Sequence, residues 1–245
     1  MKKRADALLV EAGLAESLEK ARAMIMAGEV LNGTKRIDKA GEMLKADAVL
    51  SLKGKKCEWV SRGGLKLVKG LDFSGFSPEG AVCLDVGCST GGFTDVLLAR
   101  GASKVYAVDV GYGQLAQKLR TDPRVVVLER TNARHLTAEH IPEPVGMIVC
   151  DASFIGLRTV LPVPMSFAGA GAKTVALIKP QFEVPKHLVG EGGIVRDEAL
   201  HREVCAVIRE WMESQEGWRV KGITESPVKG QYGNTEFLIA AEKSA

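Results

Sequence analysis

The sequence predicts an α/β protein in which a mostly parallel, seven-stranded sheet carries helices on its faces, preceded by a small α+β domain. Three observations support this. From residue 81 onward, short apolar runs alternate with helical patterns, as they do when crossover helices join parallel strands. The first of these runs passes through a glycine-rich turn straight into a helical pattern. The first 60 residues differ in texture, with two short helical stretches, brief strand-like runs and a concentrated positive charge.

The glycine-rich turn places everything else. From Ala81 to Thr94, an apolar run ends in Asp85, crosses small residues and enters the pattern Phe93, Val96, Leu97, Leu98. This strand, tight turn and helix start reads as the opening of a Rossmann-like domain. Gly87 and Gly91 remove side chains where backbone passes close to a ligand, and the N–H groups opening the helix face that ligand. The next run, Val105 to Val108, ends in Asp109, 22 residues after Gly87. An acidic residue there is placed to hydrogen-bond the ribose hydroxyls of a nucleoside. The spacing Gly87-x-x-x-Gly91-Gly92 departs from Gly-x-Gly-x-x-Gly and argues against a dinucleotide.

Further runs bring charged residues to strand ends. Asp151 follows Gly146 to Cys150, and Lys179 follows Thr174 to Ile178. If these strands are parallel to the first two, their last residues share one edge of the sheet. Lys66 falls on a predicted helix just before the first strand, and Glu236 opens the last. Taken singly, each charge reads as a solvated strand end.

Asp85-x-Gly87-x-x-x-Gly91 resembles the first motif of S-adenosylmethionine-dependent methyltransferases, and Asp109 resembles their acidic second motif. The resemblance implies S-adenosyl-L-methionine as cofactor, held by Asp85, Gly87, Ser89, Thr90, Gly91, Gly92, Phe93, Asp109 and Asn132. Asn132 has two readings, a contact to the adenine end or an ordinary Asx turn. Lys66, Asp151, Lys179 and Glu236 together match the Lys-Asp-Lys-Glu tetrad of FtsJ-like ribose 2′-O-methyltransferases. A ribose hydroxyl is a poor nucleophile, so in-line attack on a methyl group needs a base within hydrogen-bond reach. The tetrad gives Lys179 that role, with Lys66 as a neighbouring cation and Asp151 and Glu236 orienting the lysines and the hydroxyl. Burial and a nearby cation favour a neutral lysine, and carboxylates oppose that shift.

Residues 1–60 read as a separate domain from residues 61–245. Helical stretches at Ala5 to Gly13 and Ser17 to Gly28 precede strand-like Glu29 to Gly33 and Ala48 to Leu52, with an Asn-Gly turn between. The pattern Arg4-x-Asp6-x-Leu8-Leu9, Ala21-Arg22-x-x-Ile25-x-x-Gly28-x-Val30-x-Asn32-Gly33 resembles the RNA-binding module of the S-four ribosomal-protein type, departing from it at Leu18-Glu19. Residues 1–70 hold 15 Lys and Arg against 9 Asp and Glu, whereas the remainder holds 18 against 21. That localised excess suits phosphate contact through Lys2, Lys3, Arg4, Arg22, Lys35, Arg36, Lys53, Lys55 and Lys56, with Arg62 beside them. Trp59 reads either as a base-stacking residue or as a buried anchor between domains.

This module followed by an FtsJ-like domain resembles the TlyA family across essentially the whole chain. Its members are often labelled hemolysins and act as ribosomal RNA 2′-O-methyltransferases. The specific segments are Ser61-Arg62-Gly63-Gly64-x-Lys66, Asp85 to Thr94, Asp151-x-Ser153-Phe154, Ile178-Lys179-Pro180-Gln181-Phe182-Glu183 and Gly233-Asn234-Thr235-Glu236. The resemblance implies methylation of a cytidine ribose in ribosomal RNA or ribosomal subunits.

Length and composition agree with a cytoplasmic enzyme. A chain of 245 residues with 46% hydrophobic content supports one ordinary core and a small one. No run reaches the ~20 apolar residues of a membrane span. Cys57, Cys83, Cys88, Cys150 and Cys205 lack paired metal spacing and read as reduced thiols, with no metal site expected. Pro180 to Asp197 reads as a long loop over the substrate, with Lys186, His187 and Arg196 near phosphate or simply solvated. A helix capped by Asp197 aligns Leu200, Val204, Val207, Ile208, Trp211 and Met212 on one core-facing side. A hairpin of Arg219 to Glu225 and Glu236 to Ala241 completes the sheet. Three other functions stand beside the main one: base N-methylation, since Asp151-Ala152-Ser153-Phe154 resembles the Asp-Pro-Pro-Tyr type of motif; membrane lysis; and non-catalytic ribosome binding.

Overall fold

The computed structural model of the protein describes residues 2–33, 35–45, 48, 50–52, 58–230 and 233–245. It divides into two compact units, Met1–Glu58 and Trp59–Ala245.

The first unit runs β1 (Lys2–Arg4), α1 (Ala5–Glu11), α2 (Leu18–Met26), β2 (Val30–Asn32), β3 (Lys35–Arg36), β4 (Met43–Lys45) and β5 (Leu50–Leu52). Ser17 caps α2 by accepting from the Lys20 amide at 3.2 Å. Leu8, Leu9, Ala21, Ile25, Val30 and Ile37 form its core. Strand β2 pairs antiparallel with both β3 and β5, so the Asn32-Gly33 turn leads into β3 rather than directly into the later strand. The β1–β4 pair is an addition to the sequence reading. Its strands are three residues each and β4 buries only Leu44, which leaves too little alternation to detect. Lys53, Lys55, Lys56 and Cys57 lie outside the described residues.

The second unit opens with α3 (Gly63–Ser74), followed by β6 (Val82–Val86), α4 (Gly92–Ala99), β7 (Lys104–Val108), α5 (Gln117–Arg120) and β8 (Val125–Leu128). Next come β9 (Val145–Cys150), α6 (Leu157–Val160), α7 (Pro162–Ser166), β10 (Ala168–Ile178), α8 (Pro180–Glu183), α9 (Glu198–Glu213), β11 (Trp218–Glu225) and β12 (Phe237–Lys243). Seven strands form one sheet in the order β11-β12-β10-β9-β6-β7-β8. Five of them are parallel, β12 runs antiparallel to β10, and β11 antiparallel to β12.

Alternation along the strands feeds two cores. On β6, Cys83 faces one and Leu84 and Val86 the other; on β9, Met147 and Val149 oppose Ile148 and Cys150. Both faces of a parallel sheet are thus covered, which is why these strands read as continuous apolar runs. The Asp197 side chain caps α9 through the Ala199 amide at 2.8 Å. Val204, Ile208 and Met212 of that helix are buried, but Leu200 and Trp211 are half-buried and Val207 is exposed. The apolar stripe is therefore narrower than its sequence pattern. His201 fills the buried face as well, with its Nε2 at 2.9 Å from the Val195 carbonyl.

The sheet topology sets the site. β6 is central, and the chain turns one way to β7 and β8 and the other way to β9 and β10, so a crevice opens at the carboxyl ends of β6, β7 and β9. Gly87, Asp109, Asp151 and Lys179 all arrive at that edge. Because β12 is antiparallel, it brings the residue before its start, Glu236, to the same edge.

Helix α3 packs closely on the sheet through Gly70, where a Cβ would lie 2.5 Å from Cγ1 of the buried Val175. In an open helix Gly→Ala gains about 1 kcal/mol. Overpacking against a fixed side chain costs roughly 1–3 kcal/mol. Gly70→Ala is therefore expected to lower the melting temperature, and a higher melting temperature would show that α3 stands off the sheet.

Candidate active site

The four charged residues singled out from sequence come together. Lys179 Nζ lies 2.7 Å from Asp151 Oδ1, an ion pair without hydrogen-bond alignment. The same ammonium donates to Ser153 Oγ at 2.9 Å and to the Asp151 carbonyl at 3.2 Å. Lys66 Nζ lies 3.6 Å from Asp151 Oδ2 and donates to Glu236 Oε2 at 2.7 Å. The contacts form one chain, Lys179 to Asp151 to Lys66 to Glu236. Three of its members are nearly closed to solvent, with Lys66 8%, Lys179 6% and Glu236 3% exposed. Burial at that level requires balanced charge, and two ammoniums against two carboxylates supply it. Sequence reasoning did not single out Ser153 as a partner of Lys179; its position two residues beyond Asp151 was the available signal.

Two cavities meet at this chain. The larger, about 810 Å³, is lined by all four charged residues and by Arg62, Gln181 and Phe182. The second, about 530 Å³, is lined by Val108, Asp109, Val110, Gln114, Asn132 and Ile155 among others. Gly87, Ser89, Asp151, Ser153 and Phe154 belong to both. Phe154 is 82% exposed with φ 65°, a left-handed conformation that strains a bulky residue. Its ring lies 5.3 Å from that of Phe182.

The glycine-rich loop turns sharply because Gly87, Ser89 and Gly91 all have positive φ, at 80°, 47° and 94°. Its glycines serve the protein's own packing more than the sequence reading expected. A Cβ on Gly87 would meet the Ala152 backbone at 2.9 Å, and one on Gly91 would meet Leu119 at 2.3 Å and Leu115 at 2.7 Å. Gly87 still lines both cavities, whereas Gly91 lines neither. The amides of Gly87, Cys88, Ser89 and Gly91 are committed internally, which leaves Thr90 and the opening of α4 at Gly92 and Phe93 as the donor end of the loop. Thr90, Gly92 and Phe93 line the larger cavity.

Asp109 sits on the wall of the second cavity. Its carboxylate accepts from the Ser89 amide at 2.8 Å and the Gly111 amide at 2.7 Å, which fixes it without exhausting its lone pairs. Asn132 forms the Asx turn, its Oδ1 accepting from the Arg134 amide at 3.1 Å, and lines the same cavity. Both readings of that residue are thus compatible with one geometry. A fixed carboxylate, an amide side chain and an apolar wall are the donor and acceptor set that a nucleoside needs, so the residues present fit such a group.

Asp85 departs from expectation. It has no exposed surface and lines neither cavity; its Oδ2 accepts from the Thr94 hydroxyl at 2.7 Å, tying β6 to α4. Its Oδ1 has no donor among the described residues. Cys88 is buried, and burial pushes its thiol up, so it behaves as a filler rather than a reactive group. Trp59 packs on the start of α3, where a Cβ on Gly64 would approach it at 2.4 Å, so it is anchored within the second unit. The Val60 amide next to it donates to Asp95 Oδ2 at 2.8 Å.

Of the cations expected on RNA, Lys3, Arg4, Arg22, Lys35 and Arg36 are paired with carboxylates. Lys3 contacts Glu11 at 2.7 Å, Lys35 contacts Glu42 at 3.1 Å, and Arg36 contacts Asp38 at 2.5 Å. Arg4 and Arg22 both grip the fully buried Asp6, at 2.7 and 3.1 Å, while their own side chains remain about half exposed. Those guanidiniums hold the Asp6 carboxyl down at about 2. Arg62 is exposed on the rim of the larger cavity. Lys186, His187 and Arg196 are exposed on the loop after α8, which contains two short 3-10 turns, Lys186–Leu188 and Glu191–Gly193.

Burial pushes the Asp85 carboxyl up to about 7, with the Thr94 hydroxyl opposing the shift and the Asp151 charge reinforcing it. The folded protein therefore holds this proton more tightly than the unfolded chain. The stability tied to it is complete below pH ~4 and is lost as pH rises through about 7. Asp85→Asn, neutral throughout, is expected to gain melting temperature relative to the parent between pH 5 and pH 8. A constant difference across that range would contradict the placement of Asp85.

A model of the FtsJ-like methyltransferase family matches residues 59–243, and a model of the S4 domain matches residues 3–50. The chain is 49% identical over 238 residues to a Mycobacterium tuberculosis protein named 16S/23S rRNA (cytidine-2′-O)-methyltransferase TlyA, covering 96% of this chain and 88% of that one. It is 48% identical over 242 residues to YqxC of Bacillus subtilis (strain 168), a protein labelled an rRNA methyltransferase, covering 97% and 85%. A solved structure from Streptococcus thermophilus that carries a hemolysin label superposes with a TM-score of 0.76 at 42% identity, covering 99% of this chain and 89% of that one. The chain belongs to the FtsJ-like methyltransferases, in the TlyA family that joins this domain to an S4 domain.

Proposed function

We propose that the protein transfers a methyl group from S-adenosyl-L-methionine to the ribose 2′-hydroxyl of a cytidine in ribosomal RNA. The observation that carries this reading is the contact chain from Lys179 through Asp151 and Lys66 to Glu236, on the wall between the two cavities. The second cavity suits the nucleoside of the cofactor, with Asp109 toward its ribose and Asn132 toward its adenine. When bound there, the cofactor supplies an electrophilic methyl on a sulfonium. The larger cavity suits the acceptor nucleotide, and the relative from Mycobacterium tuberculosis bears the name of a cytidine-2′-O-methyltransferase.

Lys179 removes the hydroxyl proton as the oxygen attacks. To do so its nitrogen presents a lone pair, and one of its three present contacts gives way to the hydroxyl. Ser153 is suited to that exchange, because a hydroxyl can turn from acceptor to donor. Asp151 orients the base, Glu236 holds Lys66, and Lys66 places a second positive charge beside Asp151.

Residues 1–60 serve as the RNA-binding domain and residues 61–245 as the catalytic one, with ribosomal subunits as partner. Arg4 and Arg22, held by Asp6, together with Lys3, Lys35 and Arg36, offer charge for phosphate contact, and Arg62 does so at the cavity rim. This assignment is consistent with a cytoplasmic location. No helix among the described residues is long and apolar enough to cross a membrane, so the hemolysin label gains no support from a helical span.

Lys179→Arg tests the reaction directly, because arginine keeps the charge but stays protonated. Methyl transfer to ribosomal subunits is expected to fall by roughly 10²-fold or more, with cofactor binding and melting temperature near those of the parent. Near-normal turnover would remove Lys179 from the role of base.

A further inference from the structure

We infer that Asn234 is a positioning residue for the RNA substrate: it ties two segments that wall the acceptor cavity to the strand end carrying Glu236, and so sets how tightly the acceptor is held. The inference rests on the ribose-methylation reading above and extends it to a residue that lines neither cavity. Asn234 is 1% exposed and lies two residues before Glu236. Both polar atoms of its side chain are engaged: Oδ1 accepts from the Val195 amide and Nδ2 donates to the Gly193 carbonyl, each at 2.9 Å. Its backbone carbonyl accepts from the Gly230 amide, also at 2.9 Å.

These partners belong to segments far apart in the chain that both line the 810 Å³ cavity. Val189, Gly192 and Gly193 come from the loop after α8, and Val228, Lys229 and Gly230 from the connection between β11 and β12. The loop after α8 carries two 3-10 turns and one bridge between Gly190 and Ile194, too little internal structure to fix its own position. His201 holds the Val195 carbonyl to α9, and Asn234 holds the Val195 amide to the site. On the other side Gly230 rests against Glu236, where a Cβ would meet Oε1 at 2.4 Å. A buried amide satisfied on both sides favours one arrangement of the backbone around it. Glu236 keeps its own 2.7 Å bond to Lys66, and the cofactor cavity shares none of the six lining residues named here. Loss of the Asn234 side chain therefore loosens the acceptor wall and leaves the chain of charges and the cofactor site in place.

The test compares the full-length parent with Asn234→Ala in methyl transfer to ribosomal subunits that lack the methyl group, with cofactor affinity measured separately. KM for the subunits is expected to rise by roughly 10-fold, as the loss of one or two hydrogen bonds would give, with kcat within about 3-fold and cofactor affinity near the parent's. A merely structural role would weaken cofactor binding and turnover along with KM. The inference is overturned by an unchanged KM, by a loss of kcat as large as the rise in KM, or by a matching loss of cofactor affinity. If the Ala variant fails to fold, Asn234→Asp decides on the same criteria, because it is isosteric and keeps the Val195 bond but sets an oxygen against the Gly193 carbonyl. A parent that transfers no methyl group to the subunits would sink the underlying reading, and this inference with it.

Discussion

The Asp151 carboxylate, set between two buried lysines, is the contact on which the site depends. One oxygen meets Lys179 at 2.7 Å and the other faces Lys66 at 3.6 Å, while Glu236 closes the chain at 2.7 Å from Lys66. Without that anion the two ammoniums would repel each other in a poorly solvated place. Breaking a buried pair of this kind costs roughly 3–5 kcal/mol, because the remaining charge is left uncompensated. The arrangement is consequently both a structural constraint and a means of holding Lys179 in one orientation.

Topology makes the contact possible. The four residues span positions 66 to 236, and only the sheet brings them together. Parallel β9 and β10 end beside each other, which places Asp151 and Lys179 as neighbours. Antiparallel β12 starts where β10 ends, pairing Ile178 with Phe237 and so bringing Glu236 next to Lys179 along the edge. Helix α3 lies close enough to the sheet, through Gly70, to add Lys66 from above. Reversing β12 alone would carry Glu236 to the opposite end.

Much of this was legible in the sequence, for a physical reason. The strands of the second unit are buried on both faces and read as unbroken apolar runs, so the ends at Asp109, Asp151 and Lys179 were visible as charges closing those runs. What could not be read is what each small or polar residue touches. Gly91 looked like a ligand-facing glycine, but its space is taken by Leu115 and Leu119. Asp85 looked like a cofactor contact, yet it is sealed beneath the loop and bonded to Thr94. Trp59 packs on Gly64, a contact no local pattern encodes. In the first unit, the short β1–β4 pair and the grip of Arg4 and Arg22 on Asp6 are products of tertiary folding; the sequence showed these three residues as parts of one motif without the contact that joins them.

Residues so arranged suit one reaction, proton removal from a sugar hydroxyl beside a methyl donor. The most direct measurement is nucleoside analysis of ribosomal subunits after incubation with the protein and a methyl-labelled donor. The account predicts that the label is recovered as 2′-O-methylcytidine. Label on a base, or subunits that bind the protein and acquire no label, would contradict it.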